Sequence, residues 1–225
     1  MDYVSLTKTN RLFWLGRYSE RVLSTTQYMM YWYDSMIDNA AIDFKDYCSR
    51  VGIPSDYPDA EAFMHSYLFD KENSYSLRYA AEEMLGNGMV LRETISSKTL
   101  AYLQMAVNAL ELAKEDSAPG VELQWVVDDV MAFRGSCDDF IEEEFIRNII
   151  KTGISIERLS LYLRLDYNLD ALPKEMKKML NRLKKSGLAT NAGSMGMIDL
   201  YRVGDAKKPS EEELLESVEN LVIVI

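Results

Sequence analysis

Apolar residues are unusually dense in two long segments of the chain, residues 12–32 and 140–165. They recur at the three- and four-residue spacing that predicts a helix. A helix that is apolar around most of its circumference lies inside a bundle rather than on its surface. We therefore expect two central helices, the first beginning near Thr7 or Thr9 and continuing, with a break, as far as Val51.

The segments between and after these helices predict shorter helices. Residues 60–68 carry a single apolar stripe, which is typical of a helix with one face on the core. Pro173 precedes and Gly187 follows a helical pattern over residues 175–185, the usual order of these two residue types at helix ends. Ser210 and Glu213 form a capping box that begins a terminal helix. Further helices are predicted after a Ser74 cap, over residues 89–114 and over residues 123–133, with breaks at residues 86–88 and at Gly135.

The chain becomes less regular after residue 190. Residues 190–196 are small and polar and predict a mobile loop, and residues 197–203 alternate weakly, which predicts a short strand. The β-prone tail, residues 221–225, either pairs with that strand or docks on the bundle. The predicted fold is an all-α multi-helix bundle with two pseudo-equivalent central helices and a small β-ribbon near the C-terminus. It forms one domain over residues 1–225, with the bundle core in residues 1–190.

The charge of the chain narrows the classes of partner. Its formal net charge is −11, so it repels phosphate backbones and nucleic-acid binding is not expected. The one basic run, residues 174–185, falls on an amphipathic segment and is interpreted as a solvated helix face, with contact to an anionic membrane as the alternative. No apolar run reaches the roughly 18 residues of a membrane span.

The cysteines and the first residues bear on location. Cys48 and Cys137 are isolated in the sequence, which fits a reducing compartment better than a disulfide framework. The first residues, Met-Asp-Tyr-Val-Ser, do not resemble a signal peptide. We expect a cytoplasmic protein.

An internal repeat links the two dense helices. Gly16-Arg-Tyr-Ser-Glu20-Arg21 in the first matches Gly153-Ile-Ser-Ile-Glu157-Arg158 in the second at one offset of 137 residues. A glycine inside a helix costs about 1 kcal/mol and usually has a packing reason. We therefore expect the helices to approach each other at the two glycines, which carries both Glu-Arg pairs toward the interior.

The buried charges of this repeat have two interpretations. A buried carboxylate or guanidinium has to be paired, and in the first interpretation the motif forms an ion-pair network that sets helix register. Alternatively, Arg21 and Arg158 bind a carboxylate or another anion, with the glutamates orienting them. The candidate ligand-binding residues are Arg17, Glu20, Arg21, Glu157 and Arg158, together with the central pair Arg92 and Glu93.

These segments resemble the bacterial alpha-E family of helical domains, which is named for its Glu-Arg motif. The segment from Asn10 to Arg21, Asn-Arg-Leu-Phe-Trp-Leu-Gly-Arg-Tyr-Ser-Glu-Arg, is similar to the N-terminal signature of the family. Residues 91–96 resemble its central Arg-rich helix and residues 146–165 its second Glu-Arg helix. The central match is partial, because residues 79–82 are Tyr-Ala-Ala-Glu where more basic residues are expected.

The resemblance implies a function through gene context. Members are typically encoded beside circularly permuted ATP-grasp proteins and often with transglutaminase-like proteins. This implies an accessory subunit of an amide or peptide ligase system that helps to hold a peptide or carboxylate substrate. The alternatives are an enzyme or small-anion-binding domain that uses the Glu-Arg pairs, and a scaffold that self-associates through residues 221–225.

The sequence offers little other chemistry. His65 is the only histidine, so a His-rich zinc site is excluded and a Ser-His-Asp triad is not expected. Asp138 and Glu142 would share a helix face if their helix began early enough, and a hard-cation site is then conceivable, but a solvated acidic face is the favoured interpretation. Residues 86–88 lack the Gly-Lys-Ser/Thr of a phosphate-binding loop. We predict no metal and no cofactor.

Overall fold

A computed structural model describes residues 5–38, 42–116, 119–204 and 209–223 of the chain. Within these ranges the chain is all-α, with eleven α-helices and one short 3₁₀ helix, Leu169–Ala171. The α-helices are α1 Leu6–Ile37, α2 Phe44–Val51, α3 Ala60–Phe69, α4 Leu77–Val90, α5 Arg92–Ile95, α6 Ser97–Glu115, α7 Gly120–Phe140, α8 Glu144–Leu165, α9 Leu172–Ser186, α10 Ala192–Val203 and α11 Glu211–Glu219.

The chain groups into two compact units. The terminal unit contains residues 1–17 and 143–225, and the central unit contains residues 18–142. Helix α1 therefore contributes its first turns to the terminal unit and the rest to the central unit. The prediction of one domain over residues 1–225, with a bundle core in residues 1–190, stays a prediction.

The terminal unit is organised around α8. Every turn of α8 from Ile146 to Leu163 buries side chains, because α1, α9 and α11 all pack against it. Helix α10 packs on α11 and buries Ile198. The predicted central position of the second dense helix is therefore confirmed for this unit, although α8 begins at Glu144 rather than Phe140.

The central unit is built from the remainder of α1 and from α2 to α7. Helices α6 and α7 pack along each other, α4 packs against α6, and α3 joins α4. Stacked and edge-on rings fill the space between α1, α2 and α3, where Phe63 contacts Tyr67, Trp32 and Phe44. The cysteines Cys48 and Cys137 are both buried as free thiols.

Local capping explains several predicted boundaries. Asp59 accepts a hydrogen bond from the Ala62 N–H at the start of α3, and the predicted capping box of Ser210 and Glu213 begins α11. Gly187 ends α9 in the left-handed conformation, with φ of 68°. Each device satisfies backbone groups that a helix end would otherwise leave unpaired.

Two glycine breaks were predicted wrongly. Helix α4 continues through residues 86–88 as far as Val90, and Ser76 rather than Ser74 caps it. Gly88 is not a break, because its missing side chain makes room for Leu103 of α6. Helix α7 likewise continues through Gly135.

The predicted helix over residues 89–114 is instead divided into three. Helix α4 ends at Val90, α5 occupies the next turn, and α6 begins at Ser97. Ser96 separates α5 from α6 with a φ of 74°, and its hydroxyl accepts from the Thr99 N–H. This cap interrupts the backbone hydrogen bonds of the predicted long helix and begins α6.

The predicted loop and strand near the C-terminus are also wrong. Residues 192–203 form α10, because the Asn191 side chain accepts hydrogen bonds from the N–H groups of Gly193 and Ser194 and so begins a helix. The tail pairs with residues 189–191 instead: one antiparallel bridge joins Thr190 and Val222. That bridge is the whole of the β structure in the described ranges, and residues 224–225 lie outside them.

No helix in the ranges that the structure covers is long and apolar enough to cross a membrane.

Candidate functional site

The two repeat glycines are the points where α1 and α8 touch. A Cβ atom on Gly16 would overlap the carbonyl oxygen of Ile150, and one on Gly153 would overlap the carbonyl oxygen of Phe13. Phe13 and Ile150 are themselves 137 residues apart, so each helix presents the same backbone position to the glycine of the other. The predicted approach of the two helices at their glycines is confirmed.

Close contact at the glycines brings Arg17 to Glu157. The Arg17 Nε donates to Glu157 Oε2 at 2.6 Å. Both residues are buried, with 8 % of Arg17 and 2 % of Glu157 exposed. The guanidinium also lies 5.3 Å from the centre of the Trp14 ring, so its cation is in contact with both an acid and an aromatic face.

The other motif glutamate, Glu20, pairs in the central unit. Its carboxylate lies 2.7 Å from Nη2 of Arg134, a residue of α7, and accepts a hydrogen bond from the Ser24 hydroxyl at 2.9 Å. Arg134 also donates to the Ser19 carbonyl at 3.0 Å. Glu20 is 1 % exposed. A carboxylate with this burial needs such partners to stay charged.

The motif arginines are less buried than the glutamates. The Arg21 guanidinium lies 5.7 Å from the centre of the Tyr18 ring. Burial raises the pKa of Tyr67, and the nearby charge of Arg21 works in the opposite direction. Both Arg21 and Arg158 are half-buried.

Arg158 contacts an acid that lies on α9. Its Nη1 is 3.4 Å from Glu175 Oε2, and Lys178 Nζ lies 2.6 Å from the other oxygen of the same carboxylate. Burial acts to raise the pKa of Glu175, but the hydrogen bond from Lys178 and the charges of Arg158 and Lys178 outweigh it and hold that pKa below its ordinary value. The Glu175 carboxylate is therefore held charged in the folded protein.

A comparison with family models identifies the family of the chain. Residues 8–216 match the model of a predicted alpha-helical domain with a conserved ER motif, named Alpha-E. The chain belongs to the Alpha-E family. No curated protein and no solved structure matches it. The match to the Alpha-E model extends beyond the segments that carry the resemblance in the sequence and includes α9, α10 and part of α11.

Charged residues of the Alpha-E motif thus form ion pairs with residues of other helices. Glu157 takes Arg17 of the other repeat, Glu20 takes Arg134, and Arg158 takes Glu175. The interpretation of a buried ion-pair network describes this arrangement. The assignment of the motif residues to ligand binding stays a prediction.

The central pair of the Alpha-E resemblance lies at the surface. Arg92 and Glu93 occupy the single turn of α5, and both side chains are exposed. The Arg92 Nε donates to the Ser97 hydroxyl at 3.0 Å. The structure therefore shows Arg92 fixing the start of α6, and its predicted part in a ligand site stays a prediction.

Sequence reasoning missed Arg134 and Glu175, the partners of the motif charges. Both lie on the buried faces of amphipathic helices: Arg134 follows Val127 and Val130 by seven and four residues, and Glu175 lies between Leu172 and Met179. A charged residue at an apolar position of a helical stripe is the signal that would have found them.

The other candidate groups do not assemble a metal centre. The expectation that Asp138 and Glu142 share a helix face is wrong, because α7 ends at Phe140 and α8 begins only at Glu144. Among the residues with described positions, no group of three His, Cys, Asp or Glu side chains could hold a metal ion.

Proposed function

We propose that this Alpha-E protein is an accessory subunit of an ATP-grasp-type amide or peptide ligase system, in which it helps to hold a peptide or carboxylate substrate. Family membership and the gene context implied by the resemblance support this proposal. A transglutaminase-like protein is a further candidate partner.

The observation that carries the proposal is the burial and ion pairing of the motif glutamates. Glu20 and Glu157 are almost wholly buried, and each is paired with an arginine of another segment. A general base has to come within hydrogen-bond reach of the substrate proton. Carboxylates that are buried and ion-paired in this way favour a binding or interaction protein over an enzyme that uses its Glu-Arg motif for catalysis.

The exposed face of α9 supports a protein partner. The helix carries one acid, Glu175, and six basic side chains, which are Lys174, Lys177, Lys178, Arg182, Lys184 and Lys185. Lys174, Lys177 and Lys184 are exposed and form no ion pair with any described residue. In a chain of net charge −11, this face is suited to an acidic partner surface, which it would attract and orient.

Co-purification tests the proposal. The tagged full chain is expressed with a circularly permuted ATP-grasp protein of the kind encoded beside Alpha-E genes, with and without peptide, and the complex is measured by size-exclusion chromatography. We expect a complex that the double variant K174E/K177E weakens by about tenfold or more. The matched control is K45E/K98E, which changes the charge equally on α2 and α6. Failure of the wild-type proteins to associate under either condition would overturn the proposal.

The half-buried motif arginines favour a second candidate, a domain that binds carboxylate or phosphate, or an enzyme acting on such a group. Arg158 forms its described ion pair at 3.4 Å, the longest of the motif contacts, and neither Arg21 nor Arg158 is sealed from solvent. In this case R21M or R158M abolishes anion binding with a small loss of stability. A purely structural arginine would instead cost several kcal/mol, about 3–5, when its partner is stranded.

A further inference from the structure

A pocket in the central unit, lined by several charged side chains, contains none of the Alpha-E motif residues. It has a volume of about 450 Å³ and opens between the end of α3, the turn after it, the start of α4 and the end of α6. This volume is in the range of pockets that bind small ligands, about 300–1,000 Å³. The charged or aromatic side chains of the lining are His65, Phe69, Asp70, Lys71, Glu72, Arg78, Glu111 and Lys114.

Arg78 makes a fixed wall of this pocket. Its Nε and Nη2 donate to Glu82 Oε1 at 3.0 and 2.6 Å, and its Nη1 donates to Glu111 of α6. The side chain is 14 % exposed. Because Arg78 and Glu111 are bound to each other, their charges offset one another within the lining.

Two lysines and two acidic residues of the pocket lining are available to contact a ligand. Lys71 and Lys114 are exposed and form no ion pair with any residue that the structure describes, and the same holds for Asp70 and Glu72. Asp70 is used only by its own turn, where Oδ1 accepts from the Glu72 N–H at 2.9 Å. The pocket therefore offers cationic donors and anionic acceptors in one place.

This balance of charge selects the ligand. A simple anion would be attracted by the lysines and repelled by the acids, and a simple cation would meet the reverse. The α3 helix ends at Phe69, so its C-terminus adds partial negative charge beside Asp70. A molecule with one ammonium and one carboxylate group matches both sets.

We propose that this pocket binds a short peptide with free termini. Lys71 and Lys114 hold its carboxylate, and Asp70 and Glu72 hold its ammonium group. The ring of Phe69, which stacks edge-on with His65 at 5.6 Å, supplies apolar surface for a small side chain. The inference deepens the proposed function, on which it rests, because it locates the peptide that an accessory subunit of a peptide ligase would hold.

Titration of the purified full chain with alanyl-alanine tests the site. Isothermal calorimetry compares the free dipeptide with its N-acetyl and its C-amide derivatives. We expect each derivative to bind about five- to tenfold more weakly, since each lacks one charged contact. Equal affinity for the three ligands, or no binding of the free dipeptide at millimolar concentration, would overturn the proposal.

Variants assign the two ends of the peptide. K71Q/K114Q is expected to bind the dipeptide and its amide equally, and D70N/E72Q to bind the dipeptide and its N-acetyl form equally. K174Q on α9 changes the same type of side chain outside the pocket and is expected to bind like wild type. Unchanged discrimination in both double variants would refute the site. The titration uses no second protein, so its failure is distinguishable from a failed co-purification.

Discussion

Arg17 and Glu157 are 140 residues apart in the sequence and share one buried ion pair of 2.6 Å. Arg17 follows the glycine of the first repeat, and Glu157 lies one helical turn beyond the glycine of the second. The missing side chains let the helices approach, and the ion pair then fixes their register. The glycines and the ion pair of the Alpha-E motif therefore act together to set the contact between the two helices.

Removal of Arg17 tests the contribution of this ion pair to stability. In R17M, the buried Glu157 carboxylate loses its guanidinium partner, and we expect a loss of about 3–5 kcal/mol in the free energy of unfolding. Urea denaturation followed by circular dichroism measures it. The control R202A breaks an exposed pair with Asp199 and should cost about 0–1 kcal/mol.

A double variant separates the stranded charge from lost packing. R17M/E157L removes both charges and should recover most of the stability lost in R17M. If R17M costs no more than R202A, the ion pair does not contribute to register as described.

Glycine substitutions test the helix contact. G16A and G153A each place a Cβ against a backbone carbonyl that no rotamer change can move, so the helices have to separate. We expect each to destabilise the protein by about 1–3 kcal/mol or more, measured as the shift in urea midpoint.

Gly135 supplies the matched control, because it also lies inside a helix and a Cβ there meets no atom within 4 Å. G135A should gain up to about 1 kcal/mol from helix propensity. Similar losses in G135A and G153A would contradict the close contact.

Acid should weaken the protein partly through Glu175. Its folded pKa lies below the ordinary value of 4.5, so its contribution to stability is present above that pH and is lost as pH falls through the folded pKa. We expect E175Q to be less stable than wild type near neutral pH, with the difference shrinking below about 4.5. Urea denaturation across this pH range measures the difference. E212Q, at an exposed position on α11, should cost less stability than E175Q near neutral pH.

Alkali should weaken the protein through a buried tyrosine pair. The hydroxyls of Tyr47 and Tyr67 are 3.0 Å apart, and burial raises the pKa of both, that of Tyr47 well above its ordinary 10.0. The unfolded chain therefore releases these protons first, and stability falls as pH rises above about 10. Y47F/Y67F should flatten this decline in thermal unfolding scans. Y31F changes an exposed tyrosine and should leave the decline unchanged.

Local signals predicted much of the helical fold. The apolar stripe of α3, the Pro173 and Gly187 ends of α9 and the Ser210 capping box each depend on neighbouring residues, and each was confirmed. Gly88 shows the limit of such signals, because its glycine serves contact with Leu103 rather than a turn. Residues 192–203 show it again, since one Asn191 cap converts a weakly alternating segment into α10.

The candidate site divides in the same way. The repeat in the sequence located the helix contact and the residues Glu20 and Glu157, because identical spacing on two helices produces equivalent faces. It did not identify Arg134 or Glu175 as partners, since those lie on other helices. The pocket beside Arg78 left no pattern in the sequence, because its walls come from segments more than thirty residues apart.

Sequence patterns are enough to establish that this Alpha-E chain is helical, where its densest helices run and that their glycines meet. Those properties follow from periodicity, propensity and side-chain size, which act within a few residues or on equivalent turns. The packing of the helices decided which arginine pairs with which glutamate. It also decided which charged side chains form no ion pair within the described residues. Ion pairing depends on distances of a few ångströms between segments, and only the packed chain sets those distances.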